Sequence, residues 1–297
     1  MDNLARLENF QGNLTEVPQY QFQDEENQYS QLKTHYDSKY KITWLLMKSS
    51  PRPCFTPSLL NDLNSHVNHI KHEMAYTDGQ KYDYLVLGSD IKDIFNLGGD
   101  LDLFRTLIQQ KNRDGLLAYA IAGADLVYQN MRHFDLELTT VSIISGDALG
   151  GGFEAAMSAN LVIAERGVKL GLPEVLFNLF PGMGAYSILS RKVGSVVAQN
   201  MILSGKLYDS EELFEMGIID ILAEKGEGEL ELYKYIKSAK RSQNCYRAMS
   251  QVKDVCNSIP YQEFVDIANI WADAALNLTS KDLRMMERLV ARQSKKL

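Results

Sequence analysis

The 297-residue sequence has few cysteines and lacks the long apolar runs of a membrane protein. Its three cysteines, Cys54, Cys245 and Cys256, are odd in number and widely spaced, which predicts free thiols in a reducing compartment. No apolar run approaches the ~18 residues that a membrane-spanning helix needs. Residues 1–40 are polar, Gln-rich and acidic, unlike a signal or transit peptide. We therefore expect a soluble, cytoplasmic protein with no membrane partner.

The charge balance argues against a nucleic-acid partner. The formal net charge is -7, which does not favour binding to nucleic acid, although it leaves room for a local basic patch that meets a phosphorylated ligand. Hydrophobic residues make up 45% of the chain and charged residues 23%, as in an ordinary globular protein. A chain of this length can bury a sizeable core as one large domain, or as one domain with an appendage.

Apolar strand patterns alternate with helical patterns as far as about residue 222, and the remaining pattern is almost wholly helical. This order predicts an α/β fold followed by an all-α tail. We divide the chain into a polar N-terminal extension over residues 1–40, an α/β core over residues 41–228 and a helical region over residues 229–297. The apolar spacing of the tail predicts that it packs on a neighbouring subunit.

Two glutamates follow short apolar strands, and each lies at the start of a predicted helix. Glu154 comes after the triplet Gly150–Gly152, and Glu174 comes after Pro173. Glycines allow backbone N–H groups to approach a ligand oxygen, and paired carboxylates can move a proton beside a polarised carbonyl. A glutamate in the first turn of a helix is more often a surface residue that complements the helix dipole, and the pairing of two such sites favours chemistry.

Other polar residues give weaker evidence of a catalytic or metal-binding role. His66, His69 and His72 recur every third residue, but this spacing drifts around a helix, so we expect a solvated helix face and no metal site. Asp100 follows two glycines and is expected to cap a helix rather than act as an acid. Cys54 lies in a proline-rich loop without an obvious base, which does not favour a nucleophilic role.

Three segments in this order resemble the crotonase (enoyl-CoA hydratase/isomerase) superfamily: Phe95–Leu101, Gly146–Glu154 and Gly171–Gly182. The resemblance implies an α/β fold, a crotonase-like spiral of ββα units with a helical C-terminal region, and a homotrimer without a resident cofactor. It places the catalytic acids at Glu154 and Glu174, and the oxyanion-hole N–H donors at Leu97 and Gly151.

The resemblance also suggests how an acyl thioester binds. Gly98 and Gly150 would contact the substrate, and Lys48 and Arg52 flank the loop where the family places the phosphopantetheine or nucleotide end; a solvated surface pair is the alternative for these two. Apolar residues of the second glutamate's neighbourhood and of the tail could line an acyl tunnel or simply form core: Phe177, Leu179, Phe180, Met183 and Trp271.

A narrower resemblance is to the synthases of diffusible signal factor, a cis-2-unsaturated fatty acid used in bacterial quorum sensing. The segments that carry it are Phe95–Leu101, Gly182–Ser187, Ile270–Leu276 and Lys281–Arg288. It implies dehydration of a 3-hydroxyacyl thioester on acyl carrier protein or CoA, thioesterase release of the acid, and a possible sensor-kinase partner. The alternatives are an enoyl-CoA hydratase of fatty-acid metabolism and an idle scaffold that binds other proteins.

Overall fold

The computed structural model describes residues 29–293 and is built around a six-stranded sheet. Its strands lie in the order β1 (Leu32–Asp37), β2 (Ile42–Met47), β3 (Tyr84–Ser89), β5 (Thr139–Ile144), β7 (Leu161–Glu165) and β10 (Ile221–Ala223). The first pair is antiparallel and the others are parallel. The inner strands are buried on both faces, which explains why their sequences are continuous apolar runs.

A second, four-stranded sheet lies in the order β4 (Ile94–Asn96), β6 (Asp147–Leu149), β8 (Lys169–Gly171) and β9 (Leu207–Asp209). Along the chain, β4 follows β3, β6 follows β5 and β8 follows β7, and each of these pairs leads into a helix or a 3₁₀ turn. This repeated strand–strand–helix unit confirms the predicted α/β architecture. It also stacks the three turns after β4, β6 and β8 beside one another.

Eleven α-helices are seen in the part of the chain that the structure describes. They are α1 (Pro57–Tyr76), α2 (Leu101–Gln109), α3 (Arg113–Met131), α4 (Gly151–Met157), α5 (Ala185–Val193), α6 (Ser195–Ser204), α7 (Ser210–Glu215), α8 (Gly228–Arg241), α9 (Gln243–Cys256), α10 (Tyr261–Leu276) and α11 (Ser280–Gln293). Among residues 29–293, no helix has the length and hydropathy that a bilayer span requires.

The folded core begins before residue 41. Residues Leu32–Asp37, assigned to the extension, form β1 and pair along their whole length with β2. The prediction is wrong there because β1 is an edge strand in which only one of the three buried residues, Leu32, is apolar, so its sequence lacks an apolar run. The rest of the predicted extension, residues 1–28, lies outside the described residues.

The helical tail folds back on its own chain. Helix α10 packs on α3, and α11 packs on α2. Phe264 and Trp271 are 0% and 4% exposed, so these two aromatic rings of the tail are buried within this chain and need no neighbouring subunit to cover them. Ile270 remains 60% exposed, and α9 buries none of its side chains. Part of the tail therefore completes the core, while another part presents apolar side chains at the surface.

Candidate active site

Glu154 lies in the first turn of α4, directly behind a glycine turn. Gly150 has a φ of 53°, which residues with a side chain rarely adopt, and a Cβ there would lie 2.5 Å from Glu174 Oε1. A Cβ at Gly152 would lie 2.1 Å from Asn96 O. The glycines are therefore required at these positions, because they bring α4 against β4 and against the second acid.

The carboxylate of Glu154 is buried and held on one side. Its Oε1 accepts hydrogen bonds from the backbone N–H groups of Met183, at 2.8 Å, and Ala185, at 2.9 Å. Burial raises the pKa of Glu154 to about 7, although these two hydrogen bonds act in the opposite direction. One oxygen is thus fixed by the backbone, which leaves Oε2 as the atom that can exchange a proton with a ligand.

The loop that holds Glu154 is itself held by two aromatic rings of α10. A Cβ at Gly182 would lie 2.6 Å from Trp271 Cδ1, and a Cβ at Gly184 would lie 2.3 Å from Phe264 Cε1. Gly184 also has a φ of 107°. The close approach of the rings explains why this loop needs glycine on both sides of Met183, and it ties the helical tail to the position of the first acid.

Glu174 lies in the 3₁₀ turn Pro173–Phe177 that follows β8, rather than in an α-helix. Its Oε2 is buried and has no hydrogen-bond partner within residues 29–293. Burial, and then the charge of Glu154, raises the pKa of Glu174 to about 8. The pair therefore titrates as a coupled unit near neutral pH, where it can carry one proton between its two carboxyl groups.

The two acids line one end of a cavity of about 260 Å³. Apart from these acids, Tyr119 and Trp271, its lining consists of apolar side chains and glycines. It includes all five predicted tunnel residues and both predicted glycine contacts: Phe177, Leu179, Phe180, Met183, Trp271, Gly98 and Gly150. A mostly apolar cavity with a few convergent polar groups is typical of a site for a small molecule.

In the turn after β4, one of the two predicted oxyanion-hole donors is already engaged within the protein. The Leu97 N–H donates to Pro53 O at 2.7 Å, and the Gly98 N–H donates to Asn96 Oδ1 at 2.8 Å. Leu97 lines the cavity with its side chain, but its N–H is not available to a ligand, so this assignment is corrected. Within residues 29–293 the Gly99 N–H has no acceptor, and Gly99 lines the cavity.

The second predicted donor, Gly151, lies beside this turn. It is the first residue of α4, where a backbone N–H has no acceptor within the helix. A Cβ at Gly98 would lie 3.1 Å from Gly151 N, so the two glycine turns are in contact. Gly99 and Gly151 are thus the candidate pair of donors for a carbonyl oxygen.

Lys48 and Arg52 do not line the cavity. Arg52 Nη2 donates to Asp100 Oδ1 at 2.7 Å, and both side chains are largely buried. Asp100 caps α2 as predicted, since Oδ1 also accepts from the Leu103 N–H at 3.2 Å. The guanidinium is therefore engaged within the protein, and a role for it toward the substrate gains no support from its surroundings.

One of the three histidines, His66, differs from the prediction, while His69 and His72 are exposed as expected. His66 is buried, with its ring 5.4 Å from that of Tyr29, so it is not part of a solvated face. Burial lowers its pKa to about 4. His69 Nε2 lies 3.3 Å from Glu73 Oε2. Burial raises the pKa of the Cys54 thiol to about 12, which disfavours the thiolate.

Several cavity residues were missed by the sequence analysis, among them Gly99, Phe104, Tyr119 and Leu289. The glycine doublet marks the turn that contains Gly99, but the doublet alone does not show which N–H group of the turn is free. The other three lie on helices α2, α3 and α11, and their apolar spacing is the same as that of ordinary core residues. Only the packing of these helices shows that they face a cavity.

The fold and the site together define a class of protein: a strand–strand–helix spiral whose glycine turns and paired acids face a mostly apolar cavity. Residues 52–258 match the family model described as "Enoyl-CoA hydratase/isomerase". The chain belongs to this family, the crotonase superfamily. Its fold is shared with the crystal structure of enoyl-CoA hydratase from Bacillus halodurans, at a TM-score of 0.73 and 19% identity, over 87% of this chain and 100% of that one.

Two curated proteins are similar to this chain in sequence. The fatty acid oxidation complex subunit alpha of Pseudomonas entomophila is 32% identical over 166 residues, which is 56% of this chain and 22% of that protein. Enoyl-CoA isomerase/hydratase MYCGRDRAFT_76805 of Zymoseptoria tritici is 28% identical over 215 residues, which is 72% of this chain and 66% of that protein. The chain thus spans about a fifth of the first relative and about two thirds of the second.

Proposed function

We propose that the protein dehydrates a medium-chain 3-hydroxyacyl thioester and then hydrolyses the thioester, releasing a free cis-2-unsaturated fatty acid. The observation that carries this proposal is the pair of buried acids, both with a raised pKa, that line an apolar cavity together with Gly99 and Gly151. Such a pair offers a base and an acid at once.

In the first step, the thioester carbonyl accepts hydrogen bonds from the Gly99 and Gly151 N–H groups. The Glu154 carboxylate takes the proton from the carbon next to the carbonyl, and the resulting enolate is stabilised by these donors. Glu174 gives its proton to the 3-hydroxyl, which leaves as water while the double bond forms. The step ends with Glu154 protonated and Glu174 ionised, the reverse of the starting state.

In the second step, that reversed state suits hydrolysis. The Glu174 carboxylate takes a proton from a water molecule, whose oxygen attacks the thioester carbonyl carbon. The tetrahedral oxyanion is held by the same two N–H groups and collapses with loss of the thiolate, which takes the proton of Glu154. Both acids return to their starting states, and the net reaction converts a hydroxyacyl thioester to an enoic acid and a thiol.

Features of the cavity and of the surface support the wider proposal. The apolar lining fits an acyl chain, and a substrate carried on acyl carrier protein or CoA would enter as a thioester. Exposed apolar side chains on α6 and α9 support assembly into a homotrimer: Val196, Leu203, Met249 and Val255. The narrower resemblance to signal synthases supports a product used in quorum sensing and a sensor-kinase partner.

The deciding experiment is mass spectrometry of the products formed from a 3-hydroxyacyl-carrier protein by the purified protein. Release of free cis-2-enoic acid supports the proposal. Accumulation of a trans-2-enoyl thioester without free acid replaces it with the second candidate, an enoyl-CoA hydratase, which the family match favours. A protein that binds the thioester but leaves it unchanged would support the idle scaffold, against which the two placed glutamates argue.

An oxygen label sharpens the proposed sequence of steps. If the water expelled in the first step is retained between the acids, a substrate carrying ¹⁸O in its 3-hydroxyl gives an acid with ¹⁸O in its carboxyl group. Label found wholly in bulk water means that a solvent molecule performs the hydrolysis. This result would separate the two steps in time without changing the assignment of the acids.

A further inference from the structure

The turn that carries Gly99 is held by the loop before α1. Pro53 O accepts from the Leu97 N–H at 2.7 Å, and the Phe55 N–H donates to Gly98 O at 2.8 Å. The loop and the turn therefore lie side by side, like two short strands. Any displacement of the loop moves the turn, and with it the direction of the Gly99 N–H.

Tyr119, on α3, joins these two segments with one hydroxyl group. Its O–H donates to Phe55 O at 2.5 Å and accepts from the Asp100 N–H at 3.1 Å. A phenol has one donor and two acceptor positions, so both hydrogen bonds are compatible. Burial raises the pKa of the Tyr119 hydroxyl, which keeps it protonated as the donor that Phe55 O requires.

The ring of Tyr119 supports the same turn from a second side. It packs edge-on against Phe104, with ring centroids 4.9 Å apart. A Cβ at Gly99 would lie 2.6 Å from Phe104 Cζ, so the Phe104 ring is pressed against the backbone of Gly99. The Tyr119 hydroxyl therefore contacts Phe55 of the loop and Asp100 of the turn. Its ring contacts Phe104, which packs against Gly99.

We propose that Tyr119 is a positioning residue, whose hydroxyl fixes the Gly99 N–H beside that of Gly151 so that both donate to the thioester carbonyl. The inference rests on the proposed function, because it assumes that a carbonyl occupies this end of the cavity. Oxyanion donors act by being in place before the reaction, and a displacement of about 1 Å costs about a hundredfold in rate. Without the hydroxyl, Phe55 O and the Asp100 N–H lose their shared partner, and the turn can shift.

The test compares Tyr119→Phe with Tyr128→Phe. Tyr128 lies on the same helix, outside the cavity lining, and packs against Tyr261 and Phe264. The probe is an acyl-CoA analogue in which a methylene group separates the sulfur from a ¹³C-labelled carbonyl, so that it cannot be hydrolysed. Infrared spectroscopy of the bound analogue reports polarisation of the carbonyl, because hydrogen bonds to its oxygen lower the stretching frequency.

In the native protein, the bound carbonyl is expected to absorb at a lower frequency than in water. Tyr119→Phe is expected to lose at least half of that shift, with kcat lowered about tenfold to a hundredfold and KM nearly unchanged. Tyr128→Phe is expected to keep the native shift and kcat. A Tyr119→Phe variant that keeps the full shift and kcat overturns the inference. If the native protein itself gives no shift, the proposed function fails instead.

A conservative replacement keeps the test decisive if Tyr119→Phe does not fold. Tyr119→4-aminophenylalanine retains the ring and an N–H donor toward Phe55 O, but its nitrogen is a weaker acceptor for the Asp100 N–H. The expected carbonyl shift lies between those of the native protein and an unpolarised carbonyl, and kcat falls by a smaller factor than in Tyr119→Phe. A folded variant with native shift and kcat would contradict a role for the bridging hydroxyl's acceptor bond.

Discussion

The two acids of the site lie in different surroundings. Glu154 is held by two backbone N–H groups from a loop that aromatic rings press into place. Glu174 lies in a single 3₁₀ turn with a buried oxygen that has no partner among the described residues. The comparison shows how one chain prepares two identical side chains for different tasks, because backbone donors favour the carboxylate form and an unpaired buried oxygen favours the acid form.

The largest expected effect comes from neutralising either acid. Glu154→Gln and Glu174→Gln should each lower the rate of dehydration by at least about a hundredfold, the usual scale for a general acid or base. Both variants should also lose free-acid release, since the same pair performs both steps. Single-turnover assays with a 3-hydroxyacyl thioester measure the two losses. Near-native turnover in either variant would remove that residue from the mechanism.

The second prediction concerns pH. The active form carries one proton on the pair, so kcat should be greatest between about pH 7 and pH 8. Below this window both acids are protonated and the base is lost; above it both are ionised and the acid is lost. The rate should fall about tenfold per pH unit on each side. A rate that stays level from pH 5 to pH 9 would contradict the shared proton.

The third prediction concerns the free energy of unfolding, which the two buried acids should lower at high pH. Both acids have a higher pKa in the folded chain than in the unfolded one, so the folded state binds more protons above about pH 4.5. The free energy of unfolding should therefore fall as pH rises from about 4.5 through about 8. Glu174→Gln removes the charge with the unpaired oxygen and should stabilise the protein at pH 9 by about 1–2 kcal/mol.

Urea unfolding at pH 5 and pH 9 measures this difference. Glu154→Gln is the matched control, because its carboxylate is stabilised by two backbone donors and its removal should give the smaller gain at pH 9. Equal gains in the two variants would mean that the backbone hydrogen bonds do not distinguish the acids.

The smallest effect is on the titration of one acid when the other is removed. In Glu154→Gln the charge that opposes ionisation of Glu174 is gone, so the pKa of Glu174 should fall below about 8. It should remain above the ordinary value of a glutamate because burial, the larger cause, is unchanged. Infrared titration of the carboxyl band measures the change. An unaltered pKa would show that the two acids do not interact.

Much of the site could be predicted from local sequence. The triplet Gly150–Gly152 and the apolar strand before it were enough to place Glu154 at the start of a helix, and the structure shows that this residue lines the cavity. The partners of that carboxylate lie 29 and 31 residues further along the chain, and no local pattern links them to it. Which N–H of the first turn is free depends on Pro53, more than 40 residues away, so the donor was assigned to Leu97 instead of Gly99.

The same limit applies to the fold. Strands buried on both faces and long amphipathic helices were visible as patterns of apolar residues. The edge strand Leu32–Asp37 was not, because its burial follows from its pairing with Ile42–Met47 rather than from its own sequence. The bridging hydroxyl of Tyr119 is a further case, since a tyrosine on an apolar helix face is indistinguishable from core until its neighbours are known.

The apolar cavity with acids at one end also bears on how the product departs. In the proposed reaction a thioester enters as an uncharged group, and hydrolysis leaves a carboxylic acid that is ionised at neutral pH. Its new negative charge would lie beside Glu154 in a poorly solvated space, where like charges repel strongly. The chemical step therefore supplies its own driving force for expelling the acid. A free enoic acid added from outside should accordingly inhibit weakly at neutral pH, and more strongly as the pH is lowered toward its own pKa.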